Sequence, residues 1–507
     1  GWSAATNLPF YGDDLAAVRT VSQVLDDLAG NGLPALLDVA AGLDPSTLAP
    51  RNGRIDLTAL NAAGPRIAAG LGVIRKAQST VDTIAVDDLA EQLRVAVLQL
   101  KGGLAKAERL TSTADRAATL LPPMLGAAGP RTYLILFQNL AEVRATGGMP
   151  GAYIVIKADG GQVTITDQGT AAGDLKVFDT PVMQLSEDMD ALYTQRPAVF
   201  PANVNLTPDF PTAAMLARKM YQVRKGVAVD GVFATDPVAL SYLLKTTGPV
   251  AMPKGAALTA DNAVRLLLSE VYANYPDQAE QDLYFAGAAR ATFEALLKGQ
   301  GDPKGMINQL ARASGERRLL VWSADEQEQA ALNDTVLQGR LPADDGGAPT
   351  VGVFLNDGSG AKLSYYLNQT AALSLGDCDE DTPTRELKLA ITLGSTAPTG
   401  GLPAYVTGLG LSGAPYTVQT QVMVFAPTGG GVIEAFVDGK PVEIGGGSER
   451  GRHVGVITVD LPPGATQKLD VTLQTGDLPA GDVKPRLWTT PTVRPWKTAV
   501  TSGAGCA

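Results

Sequence analysis

PRTYLILFQNLAEVRATGGMPGAYIVIKADGGQVTITDQG, residues 130–169, changes hydrophobic pattern, polar chemistry and turn content over a short span, and the rest of the chain can be placed around it. Tyr133-Leu134-Ile135-Leu136-Phe137 is a continuous apolar run, too short for a helix and suited to a strand covered on both faces. It is expected in the middle of a sheet. Gln138, Asn139, Glu142 and Arg144 follow, then Thr146-Gly147-Gly148 and Pro150-Gly151, which puts a polar cluster beside a glycine turn at the end of a buried strand. Sites are often built in such places. Ala152-Tyr153-Ile154-Val155-Ile156 reads as the next strand, Asp159-Gly160-Gly161 as its hairpin turn, and Gln162 to Thr166 as a half-exposed return strand.

Upstream, residues 13–121 read as amphipathic helices. Leu15, Val18, Val21, Leu25 and Leu28 are spaced for one face, and Val86, Leu89, Leu93, Val97, Leu100 and Leu104 for another. Asp13, Asp56 and Asp87 stand where N-caps belong, Gly30, Gly42 and Gly70 interrupt or close segments, and Pro122-Pro123 with Gly129-Pro130 ends the region. Two readings stay open: a hairpin that spaces the body from a membrane or joins a partner, and helices that pack on each other or on the body.

Downstream, residues 130–325 alternate strands and helices. Val227 to Thr235 is expected as a strand, with helices from Asp236-Pro237 to Leu244, from Asp261 to Tyr272 and from Ala286 to Leu297. Between Asp167 and Pro211 the chain is irregular and carries Asn203, Asn205, Asp209 and Phe210, a loop long enough to act as a lid. Asp344-Asp345-Gly346-Gly347 reads as a linker. From Thr350 onward, seven short strands separated by Pro/Gly turns indicate a β-sandwich. The expected fold is therefore multidomain α+β: a helical region over 1–125, a central α/β domain over 126–340 and an antiparallel β-sandwich over 341–507.

Composition removes several functions. A formal net charge of -11 and the lack of a Lys/Arg run argue against nucleic acid as a partner. One histidine, His453, is too few for Ser-His-Asp, Cys-His or multi-His zinc chemistry. The two cysteines, Cys378 and Cys506, form no CxxC motif; both fall in the β-rich part, and a long-range disulfide between them is expected, as in an exported protein. No apolar run approaches the roughly 18 residues of a membrane span, so any signal or membrane anchor is expected to precede Gly1.

FQNLAEVRATGG (137–148) and VDGVFATDPVALSYLLKTTGPV (229–250) resemble the bacterial envelope family named domain of unknown function 4012. The central domain of that family is in turn similar to the LytR-CpsA-Psr proteins, which transfer glycopolymers from polyprenyl diphosphate carriers to peptidoglycan. Arg144, followed by a turn and the strand AYIVI, stands where those enzymes carry Arg-Ser-Asp before a strand, and LTADNAVRLLLSEVYANY resembles the helix before their basic motif. The resemblance implies an LytR-CpsA-Psr-like central fold and a bacterial cell-surface location with a membrane or wall anchor. Two positions depart from the transferase pattern. Gly147-Gly148 replace the Asp that helps hold magnesium, and Ser269 to Gly287 contains no Lys or Arg where the transferases grip diphosphate.

Asn139, Glu142 and Arg144 are candidate ligand-binding residues for a phosphate, carboxylate or sugar hydroxyl; the same three would equally make a buried ion pair that pins a turn. Asp209 is a fourth candidate, for a second carboxylate beside a sugar, and equally a helix cap before Phe210-Pro211. Asp236 reads as an N-cap, Tyr272, Tyr275 and Tyr284 as core aromatics, and His453 as the exposed start of a strand. No catalytic residue, metal ligand or cofactor is assigned. The expected function is non-catalytic binding of a wall or lipid-linked glycan, or surface assembly, with wall glycan or other envelope proteins as partners and oligomerisation through the helical region. The alternatives are a glycopolymer transferase, which alone would need magnesium, and a purely structural surface subunit.

Overall fold

Strand β1 (Arg131–Arg144) lies third in a five-stranded sheet of order β3-β2-β1-β4-β5, in the central place expected of its apolar run. The remaining strands are β2 (Gly147–Asp159), β3 (Gln162–Thr170), β4 (Gly231–Thr235) and β5 (Leu319–Ser323). Tyr133 to Phe137 pair in parallel with Gly231 to Thr235, and β4 pairs antiparallel with β5. Tyr133, Leu134, Ile135 and Leu136 are buried, as a strand with cover on both faces requires. These relations come from a computed structural model that describes residues 12–32, 49–252, 254–275, 277–333, 335–379, 381–408 and 413–505. Mixed helix and sheet, with three sheets, make the chain α+β.

Contacts divide the chain into two units. One takes residues 1–131 with 157–164 and 297–299; the other takes 132–156, 165–296 and 300–507. In the first, α1 (Gly12–Asp27), α2 (Thr58–Asp82) and α3 (Glu91–Met124) share a small core of Ala17, Val24, Ala77, Val81, Leu89, Val97 and Leu104. The face expected on α3 is the buried one. On α1 the expected face is rotated: Leu25 is 50% exposed, and the row turned inward is Ala17, Val21, Val24 and Leu28. Small Ala17 takes an inward place, so large apolar residues alone misjudged the phase.

The expected caps are partly displaced. Asp56 accepts from the Thr58 N–H at 2.9 Å, but Asp13 lies inside the first turn of α1 and Asp87 precedes α3 without capping it. The Ala90 N–H at the head of α3 donates instead to Asp14 Oδ1 at 3.0 Å. Gly70 is buried within α2 rather than closing it, Pro122-Pro123 sit inside the final turn of α3, and Gly42 lies outside the described residues.

In the second unit, helices α4 (Glu187–Tyr193), α5 (Phe210–Lys225), α6 (Pro237–Thr247), α7 (Gln278–Leu297) and α8 (Pro303–Gly315) accompany the sheet. Leu134, Leu136, Tyr153 and Val155 of the sheet share one core with Phe210, Ala213, Ala214, Ala217 and Met220 of α5. Asp236 caps α6, accepting from the Val238 and Ala239 N–H groups at 2.8 Å, and its other oxygen takes Arg318 at 2.8 Å. The segment 167–211 is more ordered than expected. Strand β3 runs on to Thr170, and a π-helical turn (Ala171–Leu175), α4 and two further short turns follow.

From β6 (Thr350–Asp357) onward the described chain is almost all strand and loop, with a 3-10 turn at Ser364–Tyr366. Strands β7 (Leu367–Leu375), β8 (Glu386–Ser395), β9 (Val418–Phe425), β10 (Gly431–Val437), β11 (Lys440–Pro441), β12 (Gly445–Glu449), β13 (Arg452–Leu461), β14 (Thr466–Gln474), β15 (Arg486–Thr489) and β16 (Lys497–Thr501) complete two sheets. Their orders are β11-β10-β14-β8-β7-β16 and β12-β13-β9-β6-β15. Alternate residues of β6, β7, β8, β9, β13 and β14 fill one core between them. The expected antiparallel pairing is not universal, because β15 pairs parallel with β6 and β16 parallel with β7. The expected linker at Asp344–Gly347 is fixed: buried Asp345 accepts from Arg452 at 2.6 Å and from the Thr428 N–H at 2.8 Å. Of the expected cysteine pair, Cys506 lies outside the described residues.

Candidate functional site

The apolar run was expected to end at Phe137 and leave its polar residues in a loop. Instead β1 continues through Arg144 and turns at Ala145-Thr146 into β2, so Gln138, Asn139, Glu142 and Arg144 are strand residues. The glycines that follow are required by closeness of the backbones. A Cβ on Gly148 would lie 2.2 Å from the carbonyl carbon of Asn139, and one on Gly147, at φ +144°, would lie 2.5 Å from Gln138 Oε1. No carboxylate side chain fits at either position.

Glu142 and Arg144 are both buried and paired at 2.6 Å. The guanidinium also donates to the Val143 carbonyl at 2.9 Å and, through two nitrogens, to Asn203 Oδ1 at 3.0 and 3.3 Å. The second Glu142 oxygen receives Lys362. Burial raises the Glu142 pKa, but the charges of Lys362 and Arg144 and their hydrogen bonds outweigh it and hold the carboxyl down to about 2. Beside them Asp357 is pushed up to about 6, first by burial and then by the charge on Glu142, against Arg144 and the donors Ser359 and Gly360. Glu142 and Arg144, two of the expected three, thus join a network in which both cations already share one carboxylate.

Asn139 belongs to a neighbouring cavity of about 450 Å³, within the size range of small-molecule sites. Its walls include Phe137, Met149, Phe200, Leu240, Leu267, Leu268, Phe285, Ala288 and Ala289, and its polar lining includes Gln138, Asn139, Lys176, Asp236, Gln281, Asp282, Lys362 and Tyr405. Asn139 donates to the Tyr272 hydroxyl, Gln281 donates to Tyr405 and to the Tyr275 carbonyl at 2.6 Å, and Tyr405 donates to the Tyr272 carbonyl at 3.3 Å. Asp282 accepts from Thr170 Oγ1 at 3.4 Å, and burial raises its pKa. The expected lid contributes Ala171, Lys176, Phe200 and Pro201 to the wall, and Asn205 pins it to Thr146 and the Gly148 carbonyl at 2.9 and 2.8 Å.

Asp209 is elsewhere. It caps α5 through the Thr212 N–H at 3.2 Å and is met by Arg340 at 3.2 Å and Arg450 at 3.7 Å. It neighbours Glu449, whose carboxyl accepts from Tyr193 at 2.6 Å and from Thr207, and is pushed up to about 7 chiefly by burial. The structure therefore brings Asn139, Glu142 and Arg144 to one region and leaves Asp209 out. Tyr272 is a buried core aromatic, as expected, that also lines the cavity, and Asp236 is both cap and wall. The residues missed are Lys362, Asp357 and Tyr405. They come from the β-rich part, Lys362 being 220 residues beyond Glu142, and no local pattern marks them.

The shifted carboxyls give a pH test. Asp357, raised in the folded state, contributes stability that is complete below its unfolded pKa near 4 and is lost as pH rises through about 6. Glu142, depressed, contributes stability above its unfolded pKa that is lost only as pH falls toward 2. Asp357→Asn is therefore expected to lose less Tm than the wild type between pH 5 and pH 8, the difference being about 2 °C. Identical slopes in differential scanning fluorimetry would exclude a raised Asp357.

No curated protein matches the chain. Among solved structures, an M1 zinc metallopeptidase from Deinococcus radiodurans matches at 18% identity over 22% of this chain and 20% of its own, with a TM-score of 0.14. A putative nutrient binding protein from Legionella pneumophila matches at 11% identity over 28% of this chain and 47% of its own, with a TM-score of 0.19. The transcriptional regulator yvhJ from Bacillus subtilis matches at 12% identity over 42% of this chain and 78% of its own, with a TM-score of 0.23. At these scores none carries an argument about fold or function. Residues 128–272, a stretch that holds β1 to β4, the segment between β3 and α5, and Tyr272, match the family described as "Protein of unknown function (DUF4012)".

Proposed function

We propose that this chain is an extracellular protein of a bacterial cell envelope that binds a lipid-linked or wall glycan without turning it over. The cavity beside β1 carries the reading: apolar walls suited to a hydrocarbon chain meet a limited set of polar groups, Asn139, Gln281 and Lys176, suited to a headgroup or sugar. A core filled at this place would have favoured a purely structural subunit. An LytR-CpsA-Psr-like central fold belongs to the same proposal, as does a β-sandwich formed by the two sheets that follow it.

The local chemistry supports binding over transfer. Diphosphate cleavage needs donors and a cation set in place before charge develops on the leaving group. Arg144 and Lys362 are already committed to Glu142, and Asp236 to Arg318 and the start of α6. Among the described residues no group of three or more His, Cys, Asp or Glu side chains is placed to hold a metal ion.

The test is to incubate the purified protein with a polyprenyl-diphosphate analogue, with and without magnesium, and to follow both binding and phosphate release. Binding without release is expected, and Ala289→Phe, which fills the cavity, is expected to lose the binding. Arg144→Ala is expected to cost about 2–3 kcal/mol of stability, less than the removal of one partner of an isolated buried pair, because Lys362 still faces Glu142. Turnover that Arg144→Ala abolishes at an unchanged Tm would restore the transferase.

We propose in addition that Cys378 pairs with Cys506. The Cys378 N–H donates to the Ala504 carbonyl at 3.0 Å, and the Ala504 N–H donates to Asp377 Oδ1 at 3.0 Å, which leads the chain past Cys378 two residues before Cys506. Closing so long a loop stabilises by roughly 4 kcal/mol on chain-entropy grounds. The expected result is that alkylation leaves the intact mass unchanged until reductant is added; modification of both thiols without reductant excludes the pairing.

A further inference from the structure

We propose that the cavity takes an amphiphile whose polar end carries one anionic group, a carboxylate or a phosphate monoester, and that Lys176 receives that group. The proposal rests on the cavity being a binding site and adds the charge of its ligand and the residue that selects it. Three observations meet at Lys176.

The first is charge. Lys176 lines the cavity and takes part in no ion pair among the described residues. The other lysine on the wall, Lys362, is held by Glu142; of the two wall carboxylates, Asp236 is held by Arg318, and Asp282, whose pKa burial raises, accepts from Thr170 Oγ1. Lys176 is thus the wall cation whose charge is left for a ligand.

The second is backbone conformation. Lys176 sits at φ +56°, ψ 169°, a region that glycine occupies readily and residues with a Cβ avoid. Glycine would fold more easily here, so a lysine held in this place points to a use for its side chain.

The third is that the conformation is imposed from outside. The Lys176 N–H closes on the Ala171 carbonyl at 2.9 Å, and the turn before it is tied by Thr170 Oγ1 accepting from the Gly173 N–H at 3.0 Å. Arg224 of α5 then clamps both flanks, donating to the Leu175 carbonyl at 2.5 Å and to the Val177 carbonyl at 2.7 Å, while its guanidinium stacks over Phe178 at 4.2 Å. A strained residue that the surroundings fix so fully is a preorganised contact.

The test uses the full chain and three ligands of equal chain length below their micelle concentrations: dodecanoate, dodecyl phosphate and the neutral dodecanol, measured by calorimetry. The wild type is expected to bind at least one anion tenfold or more tighter than dodecanol, and which anion wins separates a carboxylate ligand from a phosphate one. Lys176→Gly is expected to keep dodecanol affinity, lose the preference for the anion and melt at a higher temperature; Lys176→Arg is expected to keep the preference. Equal affinity of the wild type for all three, or a preference that survives in Lys176→Gly, overturns the role of Lys176 and leaves the cavity as a binding site. Failure of the wild type to bind any of the three, dodecanol included, removes the hydrocarbon-binding reading and this proposal with it.

Discussion

The Glu142 carboxylate holds together parts of the second unit that lie far apart in sequence. One of its oxygens takes Arg144 from its own strand and the other takes Lys362 from the loop after β6. A buried carboxylate with one cation would still carry unmet hydrogen-bonding capacity, whereas two cations, of which Arg144 is itself engaged by Asn203 and the Val143 carbonyl, satisfy it in a low-dielectric setting. The loop that brings Lys362 also brings Gly360 to the cavity wall, so the network that fixes the strand shapes the cavity as well.

The close approach of β1 and β2 shapes the rest of the region. Gly148 lies so near the Asn139 backbone that it can present no side chain, and the polar groups of the cavity come from β1 itself, α7, the start of α6, the segment after β3 and the β-rich loops. This explains physically why a carboxylate that a transferase pattern places after the arginine has no counterpart here. Bound ligand, on this account, is recognised by groups that reach in from several elements rather than by a compact motif.

Local physics decided what could be read beforehand. Five large apolar residues in a row need cover on both faces, and Tyr133 to Phe137 form the central strand for that reason. Asp236 before Pro237 is a cap because side-chain geometry at a helix start is local. The continuation of β1 through polar Gln138 to Arg144 was not legible, since those residues stay in the strand by virtue of partners such as Asn203, Asn205 and Lys362 that no short window contains. Asp209 had two readings at sequence level, and the cap prevailed because Phe210 starts α5 directly after it. The parallel pairings of β15 and β16 were invisible for the same reason as Lys362: short strands with mixed exposure declare no partner.

Those two strands have a consequence for how the protein is made. Residues 486–489 cover one side of β6, and residues 497–501 cover one side of β7, each forming the border of its sheet. During translation both sheets must wait with β6 and β7 uncovered, their amide and carbonyl rows open to other chains, until more than a hundred further residues have left the ribosome. One border of each sheet is therefore completed last, by the final segments of the described chain.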